Sequence, residues 1–145
     1  MVKIPPATDV IQRLQSKGLK VTPQRAAVYA NLLSRSDHPT VEEILSDLNS
    51  DLPVSSKATI YTALTALREV GLVREVLLSE GVTRYDANID QHHHFRCRAC
   101  GGINDLAWEM FKAPQLQQLN DAYKVESYEV TVCGLCPSCA KSNLK

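Results

Sequence analysis

An α+β fold is predicted, and three features of the chain predict it. Short amphipathic helical stretches fill the first part, a two-stranded hairpin follows, and alternating strands then run between two C-x-x-C pairs. The 145 residues suffice for one domain or two small ones, and 44% hydrophobic composition is ordinary for a soluble globular chain.

The helices have legible ends. Thr8 to Lys17 carries Val10, Ile11 and Leu14 on one side, and Gly18 can close it. Thr22 followed by Pro23 is an N-cap with proline at the first helical position, opening a helix with Ala26, Ala27, Val28 and Leu32 to about Ser34. The stretch from Arg35 to Pro39 breaks it, and Thr40 with Glu43 forms a capping box ahead of Ile44, Leu45 and Leu48. Ser55 and Ser56 cap a fourth helix, on which Ile60, Leu64 and Leu67 share one face.

The remaining positions of that fourth helix are Lys57, Ala58, Tyr61, Thr62, Thr65 and Arg68. Small, hydroxylated and basic groups suit a helix in a major groove, where methyls and hydroxyls meet base edges and cations meet phosphates; a solvated helix face has the same composition. Gly71 to Leu78 and Val82 to Tyr85 read as strands joined by a turn at Ser79, Glu80 and Gly81. Helices, then a capped polar-faced helix, then a hairpin, is the order of a winged helix-turn-helix. Arg74 and Arg84 could place its wing on a phosphate backbone, the alternative being that either is simply solvated.

The polar stretch from Asp86 to Asp90 marks the change of character, so residues 1–86 are expected to form the winged-helix, DNA-binding domain and 87–145 a second, smaller α/β domain. Within it, strands are expected at His92 to Cys97, Ile103 to Ala107 and Val125 to Val132, with a helix near Pro114 to Tyr123. A unit this small buries little core alone, and a metal and self-association are the usual remedies.

Cys97-Arg98-Ala99-Cys100 and Cys136-Pro137-Ser138-Cys139 each turn back on themselves and aim two sulfurs at one point, together making a tetrahedral thiolate cage for structural zinc. A redox dithiol or free thiols are the competing readings. Cys133 also forms a C-x-x-C with Cys136, and spacing alone does not choose. The strand expected to end near Cys133 leaves the turn to Cys136 and Cys139, so Cys133 is taken as the spare thiol. Five cysteines in this pattern fit a reducing compartment better than a disulfide framework.

Strand alternation puts His92 and His94 on one face and His93 on the other. Asp86 ends the hairpin, Asp105 lies on the following strand, and His38, in the helix-breaking loop, is either a surface histidine or a further ligand. Imidazoles with carboxylates and no thiolate make a hard site suited to Fe(II), Mn(II) or Zn(II), and such a set also suits a metal-assisted hydrolase.

Lys and Arg total 16 and Asp and Glu total 16, so any positive surface for nucleic acid must be local. The first residues carry no apolar run and no stretch approaches the roughly 18 apolar residues of a membrane span, from which a cytoplasmic location is expected.

These residues resemble the ferric uptake regulator family of bacterial metal-dependent repressors, and within it the peroxide-responsive branch. The likeness runs through Gly18 to Arg25, His38-Pro39, Ala58 to Tyr61 with Leu64, Gly71 to Val73, Arg84 to Asp86, His92 to Phe95, Cys97 to Gly101 and Cys136 to Cys139. It implies a homodimer on a double-stranded DNA operator, with winged-helix domains followed by dimerisation domains and zinc in the cysteine site. It further implies a regulatory Fe(II) or Mn(II) held by His38, Asp86, His92, His94 and Asp105, with no enzymatic activity and no small molecule beyond peroxide as signal. Aspartate at 105 resembles the peroxide sensors, in which His38 and His92 would be the oxidised ligands, whereas iron sensors commonly have glutamate there; iron- or zinc-uptake repressors are the family alternative. Many relatives build a further metal site where this chain has His93, Lys112 and Tyr128, which weakens that alternative. From the polar face of the fourth helix, the expected DNA contacts are Lys57, Ala58, Tyr61 and Thr62, with Arg84 from the wing; Thr62 departs from the family pattern, in which arginine or asparagine often stands there.

Overall fold

The computed structural model describes residues 6–50, 56–79, 81–112, 114–119 and 121–142, so Ser55 and Glu80 lie outside the described residues. Two compact units result, Met1–Ile89 and Asp90–Lys145.

The first unit contains α1 (Ala7–Ser16), α2 (Pro23–Leu33), α3 (Val41–Leu48), α4 (Lys57–Glu69), β1 (Arg74–Ser79) and β2 (Val82–Asp86). This is the winged-helix order. Three of these helices are capped by side chains read from the sequence: Thr22 accepts from Arg25 N–H ahead of α2, Ser56 accepts from Thr59 N–H ahead of α4, and Thr40 and Glu43 close a reciprocal capping box on α3. One buried cluster, with Val10, Leu14, Val28, Leu32, Ile44, Ile60, Leu64 and Leu67 at its centre, joins all four helices. Leu72, Val73 and Tyr85 extend it under the hairpin.

The hairpin differs from the expectation at its start. Gly18 N–H bonds to Gln15 O at 2.9 Å and Leu19 N–H to Leu14 O at 3.0 Å, which is the two-bond helix closure around a left-handed glycine. The same pattern recurs after α4, where Gly71 N–H reaches Arg68 O and Leu72 N–H reaches Leu67 O, both at 3.0 Å. Gly71 and Leu72 therefore finish the helix, and β1 begins only at Arg74. β1 and β2 pair antiparallel from Arg74 opposite Asp86, with a register shift between Val76 and Ser79.

In the second unit β3 (His92–Cys97) is the middle strand, antiparallel to β4 (Ile103–Ala107) and parallel to β5 (Thr131–Gly134). The first two strands match the sequence reading. The third does not: residues 123–130 run without regular structure and β5 begins at Thr131, later than the expected Val125. The helix expected over Pro114 to Tyr123 is also absent among the described residues, replaced by a 3-10 turn at Pro114–Gln118. Among the side chains described from 115 to 119 only Leu116 is half-buried and the rest are exposed, so they offer no apolar stripe for an α-helix to bury. A second 3-10 turn, Trp108–Met110, follows β4, and α5 (Pro137–Ser142) closes the chain.

His93 is fully buried on the face of β3 opposite its two neighbours. Its ring stacks on Trp108 at 4.7 Å, with Phe111 and Tyr128 at 5.2 and 5.8 Å. Val130 N–H donates to Nδ1 at 3.0 Å, so Nε2–H is the end that faces Trp108 O at 3.2 Å. Tyr128 OH donates to Phe111 O. His93 and Tyr128 are thus committed to an aromatic cluster.

Candidate metal centres

Cys97 ends β3, Cys100 ends the turn after it, and Cys136 and Cys139 flank the start of α5. Gly101 at φ +73 allows its N–H to bond back to Cys97 O at 3.0 Å, which folds the first knuckle. The sulfurs of these four residues lie within 4.8 Å of one another, and Cys100 and Cys136 are 4.0 Å apart. Zn–S bonds of about 2.3 Å in a tetrahedron put sulfurs roughly 3.8 Å apart, so the cluster fits zinc with little adjustment.

Backbone N–H groups also aim at the cage: Gly102 N–H points at Cys100 Sγ and Cys136 N–H at Cys97 Sγ, both at 3.4 Å. The backbone amides of Cys100 and Cys136 pull the Cys97 thiol down to about 6. Hydrogen bonds to neighbouring sulfurs, Cys136 first, push Cys139 up to about 12. One thiol is ready to ionise and another resists until a cation arrives, as expected of a thiolate metal site. Cys133 is exposed on β5, opposite Arg96 and outside the four-sulfur group.

The second cluster of the same unit is built on the pleat. His92 and His94 project from one face of β3, and Asp105 is the direct cross-strand partner of His94 on β4, which brings all three together. Asp105 Oδ1 lies 3.4 Å from His92 Nε2 and 3.7 Å from His94 Nε2, and the two Nε2 atoms are 3.1 Å apart. The Nδ1 atoms face away toward acceptors, His92 to Asp90 O at 2.6 Å and His94 to Glu129 Oε1 at 2.5 Å. Each Nδ1 therefore carries the ring proton, and both Nε2 lone pairs converge with a carboxylate on one point. A hard or borderline divalent cation is what such a donor set fits.

In the first unit His38 is 2% exposed and its Nε2 lies 3.1 Å from Asp86 Oδ2. The other oxygen of Asp86 accepts from Asn88 N–H at 2.8 Å. His38 has φ +54, in the left-handed region that residues other than glycine seldom adopt. Its burial means that it is not the surface histidine that its loop position allowed.

Arg84 is half-buried, its Nη1 donates to His38 O at 3.1 Å, and Glu43 lies 3.9 Å away, so the guanidinium clamps the His38 loop. Lys57, Ala58, Tyr61 and Thr62 are exposed on α4, although Lys57 pairs with Glu42 and the Thr62 hydroxyl donates to Ala58 O. Arg68, on the same face, pairs with Glu75 of β1. Glu129 and the Asp90 carbonyl were missed in the sequence, because their role depends on which strand edge they reach.

Residues 16–133 match the ferric uptake regulator family. The chain belongs to that family. The peroxide-responsive repressor PerR of Staphylococcus saprophyticus is 33% identical over 132 residues, covering 90% of this chain and 89% of that one. Among solved structures, the ferric uptake regulator of Helicobacter pylori, described as having three functional metal sites, is 21% identical with a TM-score of 0.70 over 97% of each chain. A zinc uptake regulator solved with zinc and DNA is 20% identical with a TM-score of 0.71, covering 96% of this chain and 95% of that one. Ferric uptake regulator proteins control transcription and are not enzymes, so the metallohydrolase reading falls. No described helix of this member is long and apolar enough to cross a membrane.

Proposed function

We propose that this ferric uptake regulator family member is a metal-dependent repressor that binds a double-stranded operator as a homodimer and responds to hydrogen peroxide. The convergence of His92 Nε2, His94 Nε2 and Asp105 Oδ1 carries the reading, because it offers a regulatory cation an N/O site separate from the four-cysteine zinc cage. His38 and Asp86 complete the ligand set in this proposal, and Asp105 and the staphylococcal PerR likeness favour peroxide over iron or zinc as the signal.

Held by these residues, Fe(II) would supply redox cleavage of hydrogen peroxide next to its ligands, one H2O2 giving an oxygen atom to an imidazole and leaving as water, whereas Mn(II) would engage the same ligands without ready peroxide chemistry. The chain's part is positional. With His38, Asp86, His92, His94 and Asp105 as one ligand set, the spacing of two α4 helices on two half-sites would depend on metal. A metal held by these ligands would then favour the DNA-competent arrangement by its differential affinity for the two states. Lys57, Ala58, Tyr61 and Thr62 on α4 are the proposed operator contacts. Oxidation of His38 or His92 removes a ligand and releases DNA.

Operator binding measured with Fe(II), Mn(II) and Zn(II), before and after peroxide, tests this. Peroxide should abolish binding with Fe(II) and spare it with Mn(II), and peptides containing His38 or His92 should gain an oxygen atom only with Fe(II). Equal loss with Mn(II), or loss that follows cysteine oxidation and zinc release, would replace the histidine mechanism with a thiol switch.

A further inference from the structure

The geometry points to Glu129 as a positioning residue for His94, one that rests on the proposed regulatory metal site and sets how strongly that site binds. His94 is fully buried, and its Nδ1 lies 2.5 Å from Glu129 Oε1. A carboxylate only accepts here, so it holds the ring proton on Nδ1 and leaves the Nε2 lone pair toward His92 and Asp105.

The chain reaches this position by parallel pairing. His94 N–H donates to Val130 O at 3.1 Å, and His94 is in register with Thr131, which lays the segment before β5 along His94. Val130 N–H meanwhile donates to His93 on the other face, so one residue's backbone is anchored to both histidines and Glu129 is delivered to the His94 side.

The two imidazoles are held unequally. His92 Nδ1 faces the carbonyl of Asp90, a neutral acceptor present whatever side chain stands there. His94 Nδ1 faces a charged acceptor that depends on the identity of one residue. An anionic partner raises ligand basicity more than a carbonyl does, so His94 is the stronger ligand and Glu129 the residue that makes it so. Glu129 does not join the converging donors itself; it acts through His94.

The test uses the full chain with zinc in its cysteine site and no second metal. Ring-nitrogen NMR at mildly alkaline pH should show wild-type His94 as the Nδ1–H tautomer. Glu129→Ala should show a tautomer mixture, and Glu129→Gln, which still offers an oxygen acceptor, should keep Nδ1–H. Titration with Mn(II) should give roughly 10–100-fold weaker binding for Glu129→Ala and an intermediate loss for Glu129→Gln. Glu126→Gln, an exposed carboxylate three positions away that pairs with Lys124, should match wild type. An unchanged His94 tautomer in Glu129→Ala, or Mn(II) affinity within about twofold of wild type, overturns the assignment, as does an equal loss in Glu126→Gln, which would mean charge alone. Wild-type protein that takes up no Mn(II) would sink the regulatory site instead, and the tautomer would still decide the role of Glu129.

Discussion

At the scale of single residues, the cysteine cage makes the firmest expectation. Cys97→Ser, Cys100→Ser, Cys136→Ser and Cys139→Ser should each lose zinc, while Cys133→Ser should keep about one zinc per chain, as measured by metal analysis after dialysis. Retention by a knuckle variant with loss from Cys133→Ser would reverse the pairing. Zinc uptake near neutrality must expel the Cys139 proton, whose thiol sits at about 12 without metal, so apparent zinc affinity should fall as pH falls.

Arg84 separates two roles by their salt dependence. A phosphate contact would lower the salt slope of DNA binding by about one when removed. Because its guanidinium donates to His38 O, Arg84→Ala is expected to leave that slope unchanged and instead weaken Mn(II) binding, seen by titration.

At the scale of elements, the helices are set by short-range signals, and the end of α4 shows how sharply. Gly71 stands at φ +78 with nothing within 4 Å of where a Cβ would lie, so replacing it costs conformational energy and no packing. Gly71→Ala should destabilise the protein by roughly 1–2 kcal/mol, read as a lower thermal midpoint, with zinc content unchanged. A loss near zero would mean that the closure after α4 is not held by the left-handed glycine.

The Pro114 to Tyr123 segment shows the opposite case. Its composition allowed a helix, but among the described side chains of the 3-10 turn Leu116 alone is half-buried, too little apolar burial to carry the turns on.

At the scale of the whole molecule, the two units have different sources of stability. Unit Met1–Ile89 has a four-helix core, whereas Asp90–Lys145 has a three-stranded sheet, an aromatic cluster and the cysteine cage. Structural zinc is worth about 10–16 kcal/mol of binding in small modules, so its removal should act mainly on the second unit. Trp108, the one tryptophan of the chain, lies in that unit and reports on it, while α1 to α4 dominate the helical circular dichroism. Chelation should therefore lower the fluorescence midpoint of unfolding well below the dichroism midpoint. Coincident shifts would show that the two units unfold as one.

The sequence by itself determined whatever acts within a turn or a pleat. Thr22, Thr40 and Ser56 cap the next few amides, Ile60, Leu64 and Leu67 share a face because the helix repeats every 3.6 residues, and His92 and His94 share one because the strand repeats every two. The two C-x-x-C knuckles are local in the same sense.

Only tertiary structure decided what depends on register between distant segments. Asp105 faces His94 because β4 pairs with β3 in one of several possible alignments, and Glu129 reaches His94 because β5 runs parallel to it. Arg84 turns inward because the loop bearing His38 offers it a carbonyl. Pairing energy and packing choose those alignments over tens of residues, beyond the reach of any local pattern.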